Sequence, residues 1–446
     1  MEPRLTTLTE DLADLLARPI TPADRRRAAL HLLDWIGCAT AGAASEVGQL
    51  FRRYVAKQPS GTARVLLGGA HGVRDAAFAN GAFGNVLEMD DVHRASILHP
   101  GPVVVPAALA MASALKAPST ALLDAILRGY EAEIRIGRAM GPAHYRQFHP
   151  TSTCGPFGAA AAAASLLGLD RAALVAALGN AGTQAGGVWQ CRIEPVMTKQ
   201  LHTARATVMG LEAAMLAAEG LTGPRAILEG PLGIFAGLAP DAAPARVLAE
   251  PDAPWLVHET SFKPWPACRH CHPAIDAALP LRGQGNAPIT EILVHAYADA
   301  IAFCDRPVPR TTNEAKFSLQ HAVAVALLDG PPSLAAFDPP ALARADVAAL
   351  RARVRLVGDP GFTAAYPGRF GAAVTMIRAD GSVRRIDVPD ALGDPENPLP
   401  LPALVAKAQA LMASAGVEAA RSQAVIAATL GLAEGAPLGL LTAALP

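Results

Sequence analysis

Alanine makes up about a fifth of the 446 residues, and this bias most limits what the chain can fold into. Alanine has the highest intrinsic helix propensity and buries little area per side chain. The chain is 51% hydrophobic but only 5% aromatic, so large rings cannot supply most of its core. We therefore expect a largely helical protein whose core closes by close approach of helices.

Composition and charge exclude several other classes of protein. Charged residues are only 17% of the chain, and the apolar fraction is too high for general disorder. The formal net charge of -1 argues against a nucleic-acid-binding protein, which would carry a basic face. No stretch is apolar enough to span a membrane, and the first residues lack the apolar region of a secretory signal. We expect a cytoplasmic protein with six reduced cysteines.

Helical patterns dominate the chain as far as residue 248. Ser or Thr often opens a segment, and Gly or Pro closes it. Thr21 and Pro22 predict an N-cap and first residue of one helix. Further helices are predicted at residues 75–90, 103–115, 120–140, 153–167, 170–181 and 202–219.

The pattern changes after residue 263. Residues 289–297 and 353–357 alternate like strands, and residues 373–386 alternate around an Asp380-Gly381 turn, which indicates a hairpin. Helices are predicted between them at 272–281 and 314–328, and again near the C-terminus at 403–413 and 417–434. The simplest fold class is mainly α with an inserted α+β domain. We predict an all-helical domain from residues 1–263 and 399–446, and an α+β domain at 264–398.

The first candidate site segment runs from Glu88 to His99. Glu88, Asp90 and Asp91 precede His93 and His99 in a short stretch between two alanine-rich helices. A histidine beside carboxylates suits general acid and base catalysis. An acidic helix end followed by a polar loop would show the same residues.

Two further segments hold a histidine or a lysine where a helix is predicted to begin. His149 precedes Ser152 and Thr153, either of which could cap a helix whose amides attract an anion, or serve only as a cap. Lys199 is one of only six lysines, against 32 arginines. Earlier in the chain, Gln184 lies in a glycine-rich stretch. Helix N-termini disfavour cations, so an anionic partner explains Lys199 better than a surface role, although a surface lysine stays open.

The fourth segment is a proline-bounded loop from Lys263 to His272. Residues 268–272 match the Cys-x-x-Cys-His pattern of c-type haem attachment, but that attachment requires export. A zinc site is also disfavoured, because four ligands within five residues give poor tetrahedral geometry. The alternative is a rigid loop that presents Lys263 to an anion and begins a helix at His272.

Motifs for nucleotides, flavins and serine hydrolases are missing from the sequence. Histidines and lysines without a cofactor motif indicate proton transfer on a small anionic substrate. We therefore expect no nucleotide or flavin cofactor.

At these segments the chain resembles the MmgE/PrpD family, which includes 2-methylcitrate dehydratase, cis-aconitate decarboxylase and iminodisuccinate epimerase. Seven short motifs occur in the family's order: residues 31–37, Asp90-Asp91 with His99-Pro100, residues 149–153, Lys199 with His202, residues 229–233, residues 263–266 with His272-Pro273, and residues 315–318 with 328–330.

The resemblance implies the fold of that family, a large helical domain with a smaller α+β lid, and an active site between the two domains. It implies a homodimer that needs no metal or organic cofactor. By motif, His99 and His149 would transfer protons, and Lys199 and Lys263 would hold substrate carboxylates. Asp90 would join the catalytic group, and the substrate pocket would include a further set of side chains: Asp91, Glu88, His272, His321 and Gln184.

The chain departs from the dehydratase and decarboxylase pattern at three positions. Glu88 replaces an Asp, Val92 replaces a Thr, and His321 replaces a Tyr. Changed hydrogen-bonding groups discriminate strongly between substrate analogues.

These departures make an epimerase of an imino- or amino-linked dicarboxylate, such as iminodisuccinate, the leading hypothesis. A hydro-lyase of the 2-methylcitrate dehydratase type and a cis-aconitate-type decarboxylase are the alternatives. A non-catalytic polycarboxylate-binding protein is the alternative from another class.

Overall fold

The computed structural model describes residues 6–194 and 196–446, and they fall into two compact units. The helical unit contains residues 6–86, Asp90–Thr260 and Leu401–Pro446. The mixed unit contains Leu87–Met89 and Ser261–Pro400. The predicted fold class, mainly α with an inserted α+β part, is confirmed. No local pattern predicted that Leu87–Met89 groups with the mixed unit.

The helical unit is built from fourteen α-helices among the described residues, together with short 3₁₀ turns and a small two-stranded ribbon. The helices are Leu8–Leu16, Pro22–Ala44, Glu46–Val55, Val73–Phe83, Gly101–Leu115, Ser119–Ala139, Pro142–Gln147, Pro150–Leu167, Arg171–Thr183, Thr198–Ala218, Ile234–Leu238, Leu401–Ser414, Ala419–Gly431 and Leu438–Ala444. The ribbon pairs Ser60–Arg64 with Ala70–His71, and the 3₁₀ turns are Trp189–Arg192, Pro244–Leu248, Leu256–Glu259 and Leu432–Glu434.

Small side chains allow these helices to approach closely, as the alanine content predicted. A Cβ atom added at Gly210 would lie 2.1 Å from the carbonyl oxygen of Pro156 and 2.6 Å from the amide nitrogen of Ala160. Helix Thr198–Ala218 therefore packs almost backbone to backbone against helix Pro150–Leu167. Such packing gains stability from many short dispersion contacts and leaves no room for a larger residue.

Both ends of the described chain meet in the core of the helical unit. Helix Pro22–Ala44 begins with the predicted Thr21 cap, where Thr21 and Asp24 form a capping box. Helix Leu401–Ser414 packs against it, and Nζ of Lys407 lies 2.6 Å from Oδ1 of Asp34.

The mixed unit has a four-stranded sheet with strand order Val354–Gly358, Ile289–Ala296, Ala372–Arg378, Val383–Val388. The first pair is parallel and the other two are antiparallel, and the predicted hairpin at Asp380-Gly381 is confirmed. The helices of this unit are His272–Ala278, Ala298–Cys304, Thr312–Lys316, Leu319–Asp329, Pro339–Leu342, Ala345–Arg351 and Pro360–Ala365. Its 3₁₀ turns are Arg269–Cys271, Leu279–Leu281 and Leu334–Phe337, and the short strand Thr260–Ser261 lies at the border of the two units along the chain.

Two predicted helices are wrong in extent. The helix predicted at 75–90 ends at Phe83, and Glu88 has a φ of 58°, which a right-handed helix cannot contain. The helix predicted at 314–328 breaks before Ser318, whose side chain accepts a hydrogen bond from the backbone N–H of His321 and caps a second helix.

No helix among the described residues combines the length and the apolar character needed to cross a bilayer.

Candidate active site

His99 lies in the loop before helix Gly101–Leu115, and its ring is held from one side. Nδ1 is 2.8 Å from Oδ2 of Asp90 and 3.0 Å from the carbonyl oxygen of Asp91. Two acceptors at Nδ1 assign the proton to that nitrogen, so Nε2 carries the lone pair. The side chain is 15% exposed, and residues 6–194 and 196–446 give Nε2 no hydrogen-bond partner. This is the arrangement of a general base.

Asp90 is itself fixed in place. Nδ2 of Asn85 lies 2.6 Å from Oδ2 of Asp90, and Asn85 is fully buried. The acceptor that orients His99 is thus positioned by a group from the preceding turn. The structure brings Asp90 and His99 together as the sequence predicted.

The surroundings of Asp91 differ from those expected of a residue in the substrate pocket. Its Oδ2 is 2.7 Å from Nδ1 of His31 and accepts a 2.7 Å hydrogen bond from the hydroxyl of Tyr130, while Oδ1 accepts the backbone N–H of Gly101 at 3.0 Å. Burial raises the pKa of Asp91 to about 6, and the Tyr130 hydrogen bond opposes that rise. Both carboxylate oxygens are therefore engaged inside the helical unit.

His149 is the N-cap residue of helix Pro150–Leu167, one of the helices that pack closest in the unit. Its Nδ1 is 3.3 Å from Nδ1 of His202, and its ring stacks on Trp189 with a centroid distance of 4.3 Å. Burial lowers the pKa of His149 well below the ordinary value, and the charges of Lys199 and His202 add to that effect. His149 is therefore neutral at pH 7.

The prediction that Ser152 or Thr153 caps this helix is wrong. The helix begins at Pro150, no side chain caps it, and Oγ1 of Thr153 lies 2.9 Å from Nε2 of His144. Proline at the first helical position has no N–H that needs a cap, which removes part of the demand for one.

Thr151 links the segments that carry His99 and His149. Its hydroxyl oxygen accepts the backbone N–H of His99 at 3.0 Å, and Thr151 lies two residues after His149 in the same helix. The loop that carries His99 is thus attached to the helix that His149 begins.

Lys199 and Gln184 occupy the remaining predicted positions in the helical unit. Lys199 lies in the first turn of helix Thr198–Ala218, as predicted. Burial lowers the pKa values of His149 and His202, and the charge of Lys199 adds to that effect. Gln184 is exposed and directs its amide to the carbonyl oxygen of Asn180 at 3.2 Å. Within the described residues, the structure gives Gln184 no hydrogen bond to either histidine.

In the mixed unit, two lysines meet the segment Leu87–Met89. Nζ of Lys263 is 3.9 Å from Oε2 of Glu88, and Nζ of Lys316 donates a 3.0 Å hydrogen bond to the carbonyl oxygen of Leu87. The side chain of Lys263 is only 1% exposed. Both ammonium groups therefore have polar partners within the mixed unit.

His272 and His321 direct their rings to structural partners. His272 begins a helix as predicted, is fully buried, and places Nε2 3.0 Å from the carbonyl oxygen of Ala267. His321 uses Nε2 toward the carbonyl oxygen of Ala336 at 2.8 Å, and Nη1 of Arg351 lies 3.4 Å from its Nδ1. Burial lowers the pKa of His321. Substrate binding by His321 would have to break these contacts.

The loop around Cys268 and Cys271 packs against aromatic rings. His270 lies between Phe303 and Phe370, with centroid distances of 5.1 and 5.5 Å, and both cysteines are buried. Among residues 6–194 and 196–446, no three His, Cys, Asp or Glu side chains are placed to hold one metal ion.

Sequence reasoning missed four residues that shape the site: His31, Tyr130, Thr151 and Asn85. His31 and Thr151 fell only within family motifs, and Tyr130 and Asn85 fell within no candidate segment. A polar side chain on an apolar helix face was the only available signal.

One partly exposed and one buried histidine, each with its own partners, are groups that can accept or donate a proton. The family model of the MmgE/PrpD N-terminal domain matches residues 6–246, and that of the MmgE/PrpD C-terminal domain matches residues 265–432. The chain belongs to the MmgE/PrpD family and is an enzyme, which confirms the resemblance found in its motifs.

Individual relatives are similar over most of the chain. Cis-aconitate decarboxylase of Homo sapiens is 30% identical over 387 residues, covering 80% of this chain and 78% of that protein. Cis-aconitate decarboxylase of Mus musculus is 28% identical over 383 residues, covering 80% and 77%. The cis-aconitate decarboxylase-like protein oryM of Aspergillus oryzae is 32% identical over 289 residues, covering 60% and 59%.

Proposed function

We propose that this protein is a lyase that acts at a carbon next to a carboxylate of a small di- or tricarboxylate. The observation that carries the proposal is the 2.8 Å contact between Nδ1 of His99 and Asp90, because it leaves Nε2 of a partly exposed imidazole available for a proton. The similarity to cis-aconitate decarboxylases makes cis-aconitate the first substrate to test.

In the proposed chemistry, the lysines stabilise negative charge on the substrate and a histidine transfers the proton. Lys199 and Lys263 bind substrate carboxylates and stabilise the negative charge that develops beside them. In a decarboxylation the C–C bond to the carboxylate breaks, CO₂ leaves, and the electron pair stays on the substrate. A protonated histidine then supplies the proton for the new C–H bond. His99 is our choice for this step: its Nε2 first takes a proton from solvent and then delivers it to the substrate carbon, whereas burial and nearby positive charge keep His149 neutral.

An epimerase of an imino- or amino-linked dicarboxylate is the second candidate, and the position of His321 favours it. Its ring nitrogens contact Ala336 and Arg351, so His321 does not replace the hydroxyl that a tyrosine would offer. Val92 is also buried and offers no polar group. A site with fewer hydroxyl donors fits a different substrate from that of the relatives. In that reaction the two histidines would remove and return one proton on opposite faces.

NMR in heavy water separates these candidates. The protein is incubated with cis-aconitate, 2-methylcitrate, citrate and iminodisuccinate stereoisomers, and products and deuterium incorporation are followed. Itaconate-type product with CO₂ release supports the decarboxylase, unsaturated product from 2-methylcitrate the dehydratase, and inversion with exchange the epimerase. Binding of these acids without turnover or exchange would contradict the enzyme proposal and favour a polycarboxylate-binding protein.

Two variants make that experiment specific to the site. His99→Gln removes the proposed proton-transfer group and should lower turnover by about 10²-fold or more. His71→Gln changes a partly exposed histidine of the two-stranded ribbon and should leave turnover unchanged.

We further propose that the protein acts as a homodimer without a metal or organic cofactor. Light scattering of the purified protein checks the mass. Full activity after dialysis against a chelator checks the requirement for metal.

A further inference from the structure

The carboxylate of Asp91 is unusually enclosed for a group next to the loop that carries His99. It is 2% exposed, and three donors from three parts of the chain surround it: the ring of His31, the hydroxyl of Tyr130 and the backbone N–H of Gly101. A carboxylate has about four acceptor positions, so little capacity is left for a substrate.

The same residue holds His99 from two directions. The backbone carbonyl of Asp91 accepts from Nδ1 of the His99 ring at 3.0 Å. Its side chain holds the backbone N–H of Gly101, two residues after His99 and at the start of a helix. The backbone carbonyl and the side chain of Asp91 therefore together hold the far end of the loop, at His99 and Gly101, close to its beginning.

Packing around Gly101 leaves no freedom for Asp91 to move. A Cβ atom added at Gly101 would lie 2.7 Å from Oδ1 of Asp91 and 3.1 Å from the hydroxyl of Tyr130. The ring of His31 meets the ring of Tyr130 edge to face, with a centroid distance of 5.3 Å. The carboxylate thus sits in a close-fitting enclosure of protein groups.

We propose that Asp91, held by His31 and Tyr130, is a positioning residue that fixes the His99 imidazole for proton transfer and does not bind substrate. This proposal rests on the proposed function of His99. A fixed ring keeps one tautomer and one direction for Nε2, and proton transfer depends on both.

The donors around Asp91 are neutral, which suits a fixed support. Burial lowers the pKa of His31 and raises the pKa of Tyr130, so both groups stay uncharged near pH 7. Neither donor therefore brings a charge of its own to the loop that carries His99.

Three variants test the proposal through steady-state kinetics. Asp91→Asn replaces an acceptor oxygen with a donor, Tyr130→Phe removes one hydroxyl, and Gly101→Ala pushes on the carboxylate from the other side. We expect kcat to fall about 100-fold in Asp91→Asn and about 10-fold in the other two, with KM within about threefold. Tyr54→Phe, on an exposed ring, is the matched control and should change neither constant. A rise in KM at unchanged kcat for Asp91→Asn would make Asp91 a substrate ligand and overturn the proposal.

A second measurement needs no substrate, so it separates failure of this inference from failure of the proposed function. Nitrogen-15 spectra of histidine-labelled protein report the His99 tautomer, with His99→Gln to assign the signal. We expect a single Nδ1-protonated tautomer in the native protein and a mixture in Tyr130→Phe, which should still fold because its ring is kept. Unchanged His99 signals in Tyr130→Phe and Asp91→Asn would show that Asp91 does not position the ring.

Discussion

Lys407 and Asp34 form a buried ion pair that joins helix Leu401–Ser414 to helix Pro22–Ala44. Their charged atoms are 2.6 Å apart, and neither side chain is more than 5% exposed. Burial raises the pKa of Asp34 to about 6, although Lys407 opposes that rise. The pair therefore fixes how the C-terminal helices attach to the first long helix.

Removing one partner of this pair should be costly. Lys407→Met leaves the Asp34 carboxyl buried without its ammonium, and we expect a loss of about 3–5 kcal/mol in the free energy of unfolding. Urea unfolding followed by circular dichroism measures the loss. The double change Asp34→Leu with Lys407→Met should recover most of it, and Lys57→Met, at an exposed lysine, should have little effect. Equal stability of Lys407→Met and the native protein would show that the pair contributes nothing.

His99→Gln should lower kcat/KM by about 10²- to 10⁴-fold on whichever substrate is turned over, because glutamine can neither accept the proton nor deliver it. Product formation measured by NMR checks this. The thermal midpoint should stay close to that of the native protein, since His99 is partly exposed. Activity near the native level would exclude His99 as the proton-transfer group.

Lys263→Ala should lower kcat/KM by about 10²-fold or more, because Lys263 is proposed to stabilise developing negative charge. Lys263→Arg is the matched variant. It keeps the charge but not the compact ammonium, so it should restore activity only in part. If the alanine variant folds and retains native activity, Lys263 has no role in catalysis.

The stability of the protein should depend on pH through His144. Burial lowers the pKa of His144 from 6.5 to about 4. A depressed histidine pKa means that the unfolded chain takes up the proton first as pH falls. Above pH 6.5 His144 is neutral in both states and does not make the free energy of unfolding depend on pH. As the pH falls from about 6.5 to 4, that free energy decreases by up to about 1.4 kcal/mol per pH unit.

The variant His144→Gln should therefore show a shallower loss of stability than the native protein over that pH range. Urea unfolding at pH 7, 6, 5 and 4 measures the two slopes. Parallel slopes in both proteins would rule out His144 as a source of the dependence.

Close helix packing predicts opposite effects for the same substitution at two glycines. Gly210→Ala places a Cβ atom 2.1 Å from the Pro156 carbonyl oxygen and should cost about 1–3 kcal/mol or more. Gly237→Ala, in helix Ile234–Leu238, has open space around the new atom and should stabilise by about 0.5–1 kcal/mol. Thermal midpoints of both variants check this; a midpoint raised by Gly210→Ala would mean that the two helices can separate without cost.

Much of the fold follows from local pattern in the sequence. The Thr21 cap, the alternating strands and the Asp380-Gly381 turn act over a few residues, so their consequences are visible in the chain itself. The break at Ser318 was missed because a serine side chain competes with the helix only when it can reach the N–H of His321.

The site was predictable only in part for a related reason. His99 and Asp90 are close in sequence, and their pairing could be expected. His31 and Tyr130 lie 60 and 39 positions from Asp91, and no spacing rule brings them together. Asp91 therefore resembled a pocket residue until its partners were known. Likewise, the contact between Lys316 and Leu87 spans 229 positions.

The ion pair between Lys407 and Asp34 also has a consequence for biosynthesis. The two residues are 373 positions apart, so at about 5–20 residues per second the ribosome adds Lys407 roughly 20–75 s after Asp34. During that interval Asp34 lacks its ammonium partner, and the apolar face of its helix is not covered by helix Leu401–Ser414. Chaperone dependence and slow translation are therefore expected to affect the yield of this protein more than that of a chain whose first helices close on each other.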